Sequence, residues 1–226
     1  MSGDSTSGDA GIVWTIVVAA GSGSRFGAPK QFLDLGGERV LDRSIGTAAR
    51  HSAGVVVVMP ADPIAGAVAP IESASLIVVA GGATRTESVR NGLAAVPSHT
   101  AVVLVHDAAR PLASDRIYES VIAAVIAGAA AATPAVPVAD TLRHRAGGVI
   151  DRDGVVSVQT PQGFAAPALR AAHASGKEAT DDVTVVEADG GTVVLVDGDR
   201  RNLKLTTPLD LVIAAALIAA PDEESQ

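Results

Sequence analysis

Four times between residues 12 and 110 the chain passes through a run of mostly β-branched aliphatic residues that is apolar on both alternating faces. The runs are Ile12 to Val18, Val55 to Met59, Leu76 to Val79 and Val102 to Val105. Such runs suit strands covered on both sides in a parallel sheet. Helical spacing follows three of them. Leu41, Ile45 and Ala48 or Ala49 share a face of 40–51, and Thr84-Arg85-Thr86-Glu87 reads as a capping box opening a helix that buries Val89, Leu93 and Val96. Ser114 then caps a helix burying Ile117, Val121 and Val125. The crossing between the second and third strands reads as a weak helix interrupted by Pro70. This alternation predicts an α/β fold with a doubly wound, mostly parallel sheet, whose ligands collect at the carboxyl ends of the strands.

The first strand breaks into glycine. Gly21 and Gly23 let the backbone turn tightly and approach a ligand, and the exposed N–H groups of such a loop form a nest for phosphate oxygens. Two cations follow, Arg25 and Lys30. A dinucleotide fingerprint would need its third glycine where Phe26 stands, and a P-loop would need Gly-Lys-Ser/Thr where Lys30 lies between Pro29 and Gln31. What remains suits holding a triphosphate while another group attacks it; the plain alternative is a turn with two solvated cations.

With 226 residues, 48% hydrophobic, the chain has enough material for one large α/β domain. Only Phe (3), Trp (1) and Tyr (1) are aromatic, so the core must be aliphatic, as buried parallel strands prefer. Lys and Arg number 17 against 25 Asp and Glu, a net charge of −8, which argues against a nucleic-acid partner and means that any bound anion needs a local cluster of cations. Without cysteine there is no disulfide, thiolate or Cys-based zinc chemistry, while carboxylate-held magnesium stays open. The start MSGDSTSGDAG lacks the segments of a signal peptide, and no apolar run reaches transmembrane length, so a cytoplasmic protein without membrane contact is expected.

Residues 1–11 and 221–226 read as polar tails around a domain at 12–220. From Thr133 the pattern changes: Pro134 and Pro137 confine their strand to an edge or a bulge, and Gly147-Gly148 and Asp153-Gly154 bracket short polar strands. A protruding β-arm at about 139–158 is expected there. The chain returns through Gln159 to Phe164, a helix from about Pro167, a second near Thr180-Asp181-Asp182, a strand at Val193 to Val196, and a last helix opened by Thr207-Pro208.

Among candidate residues, Asp107 ends a buried strand beside small alanines, where its carboxylate is open to a hard cation shared with phosphates; taken alone it reads more plainly as capping the loop and pairing with Arg110. His106 reads as a structural hydrogen bonder, having no second ligand at metal spacing. Arg85 and Ser88 stand in the first turn of a capped helix, where free N–H groups favour an anion or a polar base edge, whereas Arg90 reads as solvated. Lys204 alternates with leucines and points away from them, as a surface lysine on a strand also would.

The motifs AAGSGSRF with APKQ, GGATRTESV, HDAARP, PVADT, DRDG, QTPQGF, TDD and NLKLTTPLDL occur in the order, and nearly the spacing, of a known family. On these the chain resembles the 2-C-methyl-D-erythritol 4-phosphate cytidylyltransferases of the non-mevalonate isoprenoid pathway, over everything but the tails. The ribitol-5-phosphate cytidylyltransferases are a nearby alternative, but they usually show AGG and HDSVRP where this chain has Ala19-Ala20-Gly21 and HDAARP. A nucleotide-binding homologue without catalysis is the other alternative. Arg25, Lys30 and Asp107 together argue against it.

The resemblance implies a Rossmann-like nucleotidyltransferase fold and a reaction in which the phosphate of methylerythritol phosphate attacks the α-phosphorus of CTP and expels pyrophosphate. It further implies that Gly21, Gly23, Arg25 and Lys30 hold the triphosphate, with Arg25 and Lys30 stabilising the crowded transition state, that Ala20 is a further substrate-binding residue, and that Asp107 binds Mg²⁺. Ala19, Gly82 and Ser88 would read cytosine, with Ala108 at the ribose and Arg85 a further substrate-binding residue. Arg110, Thr141, Arg152, Thr160, Thr180 and Lys204 would surround the sugar phosphate, and a homodimer would form through the β-arm. The chain departs from the family in a short loop between Arg25 and Lys30 and in Ala83 and Thr84, which stand at often acidic positions. With no cyclodiphosphate-synthase segment following, a monofunctional form is expected.

Overall fold

The computed structural model describes residues 12–21, 26, 29–60, 68, 71, 73–174, 176 and 181–220. Its first half follows the alternation: β1 (Val13–Val18), α1 (Val40–Arg50), β2 (Gly54–Met59), β3 (Ser75–Ala80), α2 (Arg85–Ala95), β4 (Val102–Asp107) and α3 (Asp115–Ile126). The second half carries β5 (Ala131–Pro137), β6 (Leu142–Arg143), β7 (Val149–Ile150), β8 (Val156–Val158), β9 (Gln162–Ala165), α4 (Ala166–Ala174), α5 (Asp182–Ala188), β10 (Val193–Asp197) and α6 (Pro208–Ala219). The main sheet has the order β10-β5-β9-β4-β1-β2-β3, and β8 also pairs with β5.

Both faces of this sheet are covered, which is why its central strands are apolar without alternation. Val17, Val55, Val57 and Leu104 meet Leu41 and Ile45 of α1 and Ile117, Tyr118 and Val121 of α3 on one face. Their neighbours Ile16, Val56, Val58, Val103 and Val105 meet Val89 and Leu93 of α2, Leu169 of α4 and Val185 of α5 on the other. Each fully buried valine of β2 contributes on the order of 2 kcal/mol of transfer free energy. Gly92 lets α2 lie close: a Cβ there would stand 2.7 Å from Ile16 Cγ2 and 3.0 Å from Val58 Cγ2.

β1 pairs in parallel with β2 on one side and with β4 on the other, so the winding direction reverses between β1 and β4. Val18 is in register with Asp107 at that point. A crevice opens at the carboxyl ends of strands where the order reverses, and ligands of open α/β sheets bind there.

Several expectations need correction. β5 is not an edge strand, because β10 flanks it on one side and β9 and β8 on the other. Pro134 is accommodated at a break: β9 pairs up to Ala132, β8 begins at Ala135, and between them Gln159 N donates to Pro134 O at 2.7 Å. β9 was not expected as a strand. Its four residues run antiparallel between β4 and β5 and are too short to show a period. The excursion is shorter than 139–158, since Val156–Val158 already lies against β5; the hairpin proper pairs Leu142 with Ile150 and Arg143 with Val149. Ser114 does occupy the N-cap of α3, but its side chain makes no capping hydrogen bond. Arg90 is half-buried rather than solvated, with Nε and Nη2 shielded from solvent. Residues 203–206, which include Lys204, form no strand. Both tails and most of the crossing through Pro70 lie outside the described residues.

At the far end, the Asp210 carboxylate accepts from the backbone of Thr206 and Thr207 at 2.7 Å each and fixes the start of α6. Leu205, Leu35, Val40 and Ala214 then bury one another. Among the described residues no helix is long and apolar enough to cross a membrane.

Candidate active site

The reversal point holds a cavity of about 500 Å³. Ala19, Ala20 and Gly21 line it from the end of β1, Asp107 and Ala108 from the end of β4, and Gly82, Arg85 and Ser88 from the start of α2. Lys30 and Gln31 close it from the turn after β1, and Lys204 and Thr206 from the segment before α6.

Each wall is held by backbone or side-chain bonds that also explain its residue types. Ala19 N donates to Val58 O at 2.8 Å, and Gln31 Nε2 donates to Ala19 O at 3.1 Å, so both backbone polar groups of Ala19 are fixed. Glu87 folds back so that Oε2 accepts from Ala83 N at 2.7 Å, while Thr84 Oγ1 accepts from Glu87 N at 3.1 Å. Glycine is required beneath that carboxylate, because a Cβ on Gly82 would lie 2.2 Å from Glu87 Cγ. The Ser88 hydroxyl accepts from Gly82 N at 3.1 Å and donates to Thr84 O at 2.9 Å, which ties the loop to the helix.

Charge concentrates on one side. Lys204 Nζ meets Asp107 Oδ2 at 2.5 Å, and Arg85 Nε lies 3.6 Å from Oδ1. Burial opposes the Asp107 carboxylate, but Arg85 and Lys204 outweigh it and draw its pKa down to about 2. Arg85 Nη1 also donates to Asp182 Oδ2 at 2.7 Å. Burial likewise opposes the guanidinium, and the carboxylates of Asp182 and Asp107 more than offset it, so its pKa rises. Lys30 Nζ donates to Leu205 O at 2.5 Å, joining the turn after β1 to the segment that carries Lys204. Lys30, Arg85 and Lys204 thus face one acid, Asp107, within the cavity, an excess of positive charge in a chain of net charge −8.

His106 is fully buried behind Asp107, with Nδ1 3.2 Å from Thr160 Oγ1. Burial lowers its pKa to about 4, so it is neutral at physiological pH and has no path to the cavity as a base. Thr160 supports the site from beneath, its Oγ1 accepting from Asp107 N at 3.0 Å. Arg110 does not pair with Asp107; it donates to Asn202 O at 2.7 Å and Val158 O at 3.4 Å and lies outside the cavity lining. Thr141 and Arg152 stand on the excursion, and Arg152 Nη1 donates to Ala139 O of the same arm at 2.6 Å. Gly23, Arg25 and Thr180 lie outside the described residues. Gln31, Thr206 and Asp182 went unassigned in the sequence reading although they lie in the motifs APKQ, NLKLTTPLDL and TDD, because nothing local marks a side chain that tertiary packing turns inward.

The chain matches the family model for 2-C-methyl-D-erythritol 4-phosphate cytidylyltransferase over residues 13–220. It is 43% identical to the enzyme of that name from Frankia casuarinae, covering 93% of this chain and 82% of the relative, and 44% identical to that of Saccharopolyspora erythraea, covering 92% and 99%. A bifunctional enzyme IspD/IspF from Clavibacter michiganensis is 44% identical, and the chain spans about half of its length, 54%. Among solved structures, the cytidylyltransferase of Thermus thermophilus superimposes with a TM-score of 0.77 at 37% identity, covering 91% of this chain and 98% of that one. With the fold, the reversal-point cavity and its cations already in place, these matches make the chain a member of the 2-C-methyl-D-erythritol 4-phosphate cytidylyltransferase family.

Proposed function

We propose that the cavity between β1 and β4 binds CTP with its triphosphate towards Lys30, Arg85 and Lys204, and that the chain performs the family reaction there. A phosphate oxygen of methylerythritol phosphate forms a bond to the α-phosphorus of CTP, the bond to the β-phosphate oxygen breaks, and pyrophosphate leaves with that electron pair. The nucleophile is already an anion, so no general base is needed, in keeping with a buried and neutral His106. Catalysis then consists of bringing two anions into line and neutralising the charge that builds at the α-phosphoryl group. The observation that supports this best is the convergence of Lys30, Arg85 and Lys204 on one cavity.

Ala19, Ala20 and Gly21 present backbone to the nucleotide in this reading, with Gly23 and Arg25 continuing the loop. Gly82 and Ser88 face the base and Ala108 the ribose. Lys204, Arg110 and Thr160 lie towards the sugar phosphate, and Thr141 and Arg152 reach a site from the arm. Because Arg152 is bonded within its own arm, away from the cavity, we assign it to the site of a second copy in a homodimer.

Asp107 is the residue that fits a magnesium ion. Among the described residues no group of three His, Cys, Asp or Glu gathers to hold a metal, so a preformed all-protein site does not fit. One carboxylate suffices where substrate phosphates supply the remaining ligands. Mg²⁺ held in this way would neutralise phosphate charge. We place the enzyme in the cytoplasm, where CTP is available. Pyrophosphate release measured with CTP and either methylerythritol phosphate or ribitol 5-phosphate tests the reading; turnover confined to ribitol 5-phosphate overturns it.

A further inference from the structure

We infer that Asp182 is a positioning residue for the nucleotide site, holding the Arg85 guanidinium in place at the cavity wall. The inference rests on the reading that Arg85 contacts CTP. Asp182 opens α5, on the opposite side of the sequence from the glycine loop, and at 1% exposure it neither lines the cavity nor can touch a ligand there.

Both of its oxygens are committed. Oδ2 accepts from Arg85 Nη1 at 2.7 Å, and Oδ1 lies 3.0 Å from Nε2 of His173, a residue of α4 that is 3% exposed. The carboxylate is therefore fixed against rotation. His173 must carry its proton on Nε2 to make this contact, as any imidazole facing a carboxylate does.

Arg85 needs such a partner for a physical reason. It is the first residue of α2, where unpaired N–H groups and the helix dipole make a cation unfavourable. Asp107 cannot be its main anchor: it lies farther away, 3.6 Å against 2.7 Å, and its other oxygen is engaged by Lys204. An incoming triphosphate would draw Lys204 and Arg85 off Asp107. The bond to Asp182 lies behind the guanidinium and survives that exchange, so Arg85 keeps its place while presenting its remaining N–H groups to the cavity. The outer helices α4 and α5 thereby set the position of a side chain on α2, across sheet elements that the sequence keeps apart.

The test is a double-substitution cycle read by calorimetric titration of CTP into the full chain, with melting curves for each protein. Asp182→Asn, which keeps the shape and removes the charge, and Arg85→Gln should each weaken CTP about tenfold, the scale of one charge-assisted hydrogen bond. The double variant, which leaves no buried charge unpaired, should also be about tenfold weaker. An additive loss of about a hundredfold would mean that Asp182 acts independently of Arg85 and would overturn the inference. If Arg85→Gln weakens CTP and Asp182→Asn does not, the inference fails while the site stands; if Arg85→Gln has no effect, the placing of Arg85 in the site fails and the inference with it. His173→Gln loosens the carboxylate without removing it, so it carries a milder form of the same prediction should Asp182→Asn not fold: about threefold, vanishing in the Arg85→Gln background. A loss that persists in that background would overturn the inference.

Discussion

The reversal-point cavity and the β-arm were expected to serve one site, yet they are built in opposite ways. The cavity walls are tied to other parts of the same chain: Gln31 to Ala19, Lys30 to Leu205, Lys204 to Asp107, Arg85 to Asp182. The arm has only a two-pair hairpin, leaves Val149 62% exposed, and bonds Arg152 to its own backbone. A two-stranded hairpin is marginal in water unless something covers it. In the proposed reading the cavity walls that bind the nucleotide come from one chain, whereas the arm exposes surface that a second chain would cover. One reaction can draw on a rigid half and an adaptable half when the second half is fixed by association.

The sharpest way to break that division is to remove a cavity cation. Lys30→Ala should lower kcat by on the order of 10²–10³ at saturating CTP, the scale of one electrostatic contact in a transition state, with folding intact. Near-normal turnover would move the triphosphate away from the turn after β1.

Mixing two inactive proteins tests the arm. Under subunit exchange, Lys30→Ala and Arg152→Ala chains should form heterodimers in which one site lacks both lesions, restoring about half of wild-type activity per heterodimer. If exchange is demonstrated and no activity returns, Arg152 serves its own chain and the division between the halves is wrong.

Acid should loosen the floor beneath the cavity. The unfolded chain takes up a proton on His106 near pH 6.5, but the folded chain resists until about pH 4, so stability rises with pH across that window and is lost on acidification. Its size is on the order of 3 kcal/mol between pH 7 and 4, measurable by urea unfolding. Asp107, drawn down to about 2, extends the same trend below pH 4. A flat stability profile from pH 7 to 4 would contradict the buried neutral imidazole.

A smaller effect is expected from Asp107→Asn, which should raise the Mg²⁺ concentration for half-maximal activity about tenfold, because an amide is a weaker ligand for a hard cation. An unchanged titration would leave Asp107 as the partner of Lys204 and Arg85 alone.

The sequence by itself determined the parallel half of the sheet and the ends of its strands. Valine runs buried on two faces, helices with one apolar face, and glycine or charge at each carboxyl end are local patterns, so β1 to β4 and α1 to α3 were legible, and with them Gly21, Lys30, Arg85 and Asp107 as neighbours at one edge. Tertiary structure alone decided what lies between and behind. β9 slips antiparallel between β4 and β5, pairing on both sides with strands that only folding brings next to it. Asp182 reaches Arg85, 97 residues away, because α5 packs on the face that α2 covers. Arg110 turns from its near neighbour Asp107 to the carbonyl of Asn202 because the segment before α6 lies against the loop after β4, where Leu205 N also donates to Ala109 O. Hydrophobic periodicity is written residue by residue, but the pairing of buried polar groups depends on which surfaces meet, and that is fixed only when the whole chain has folded.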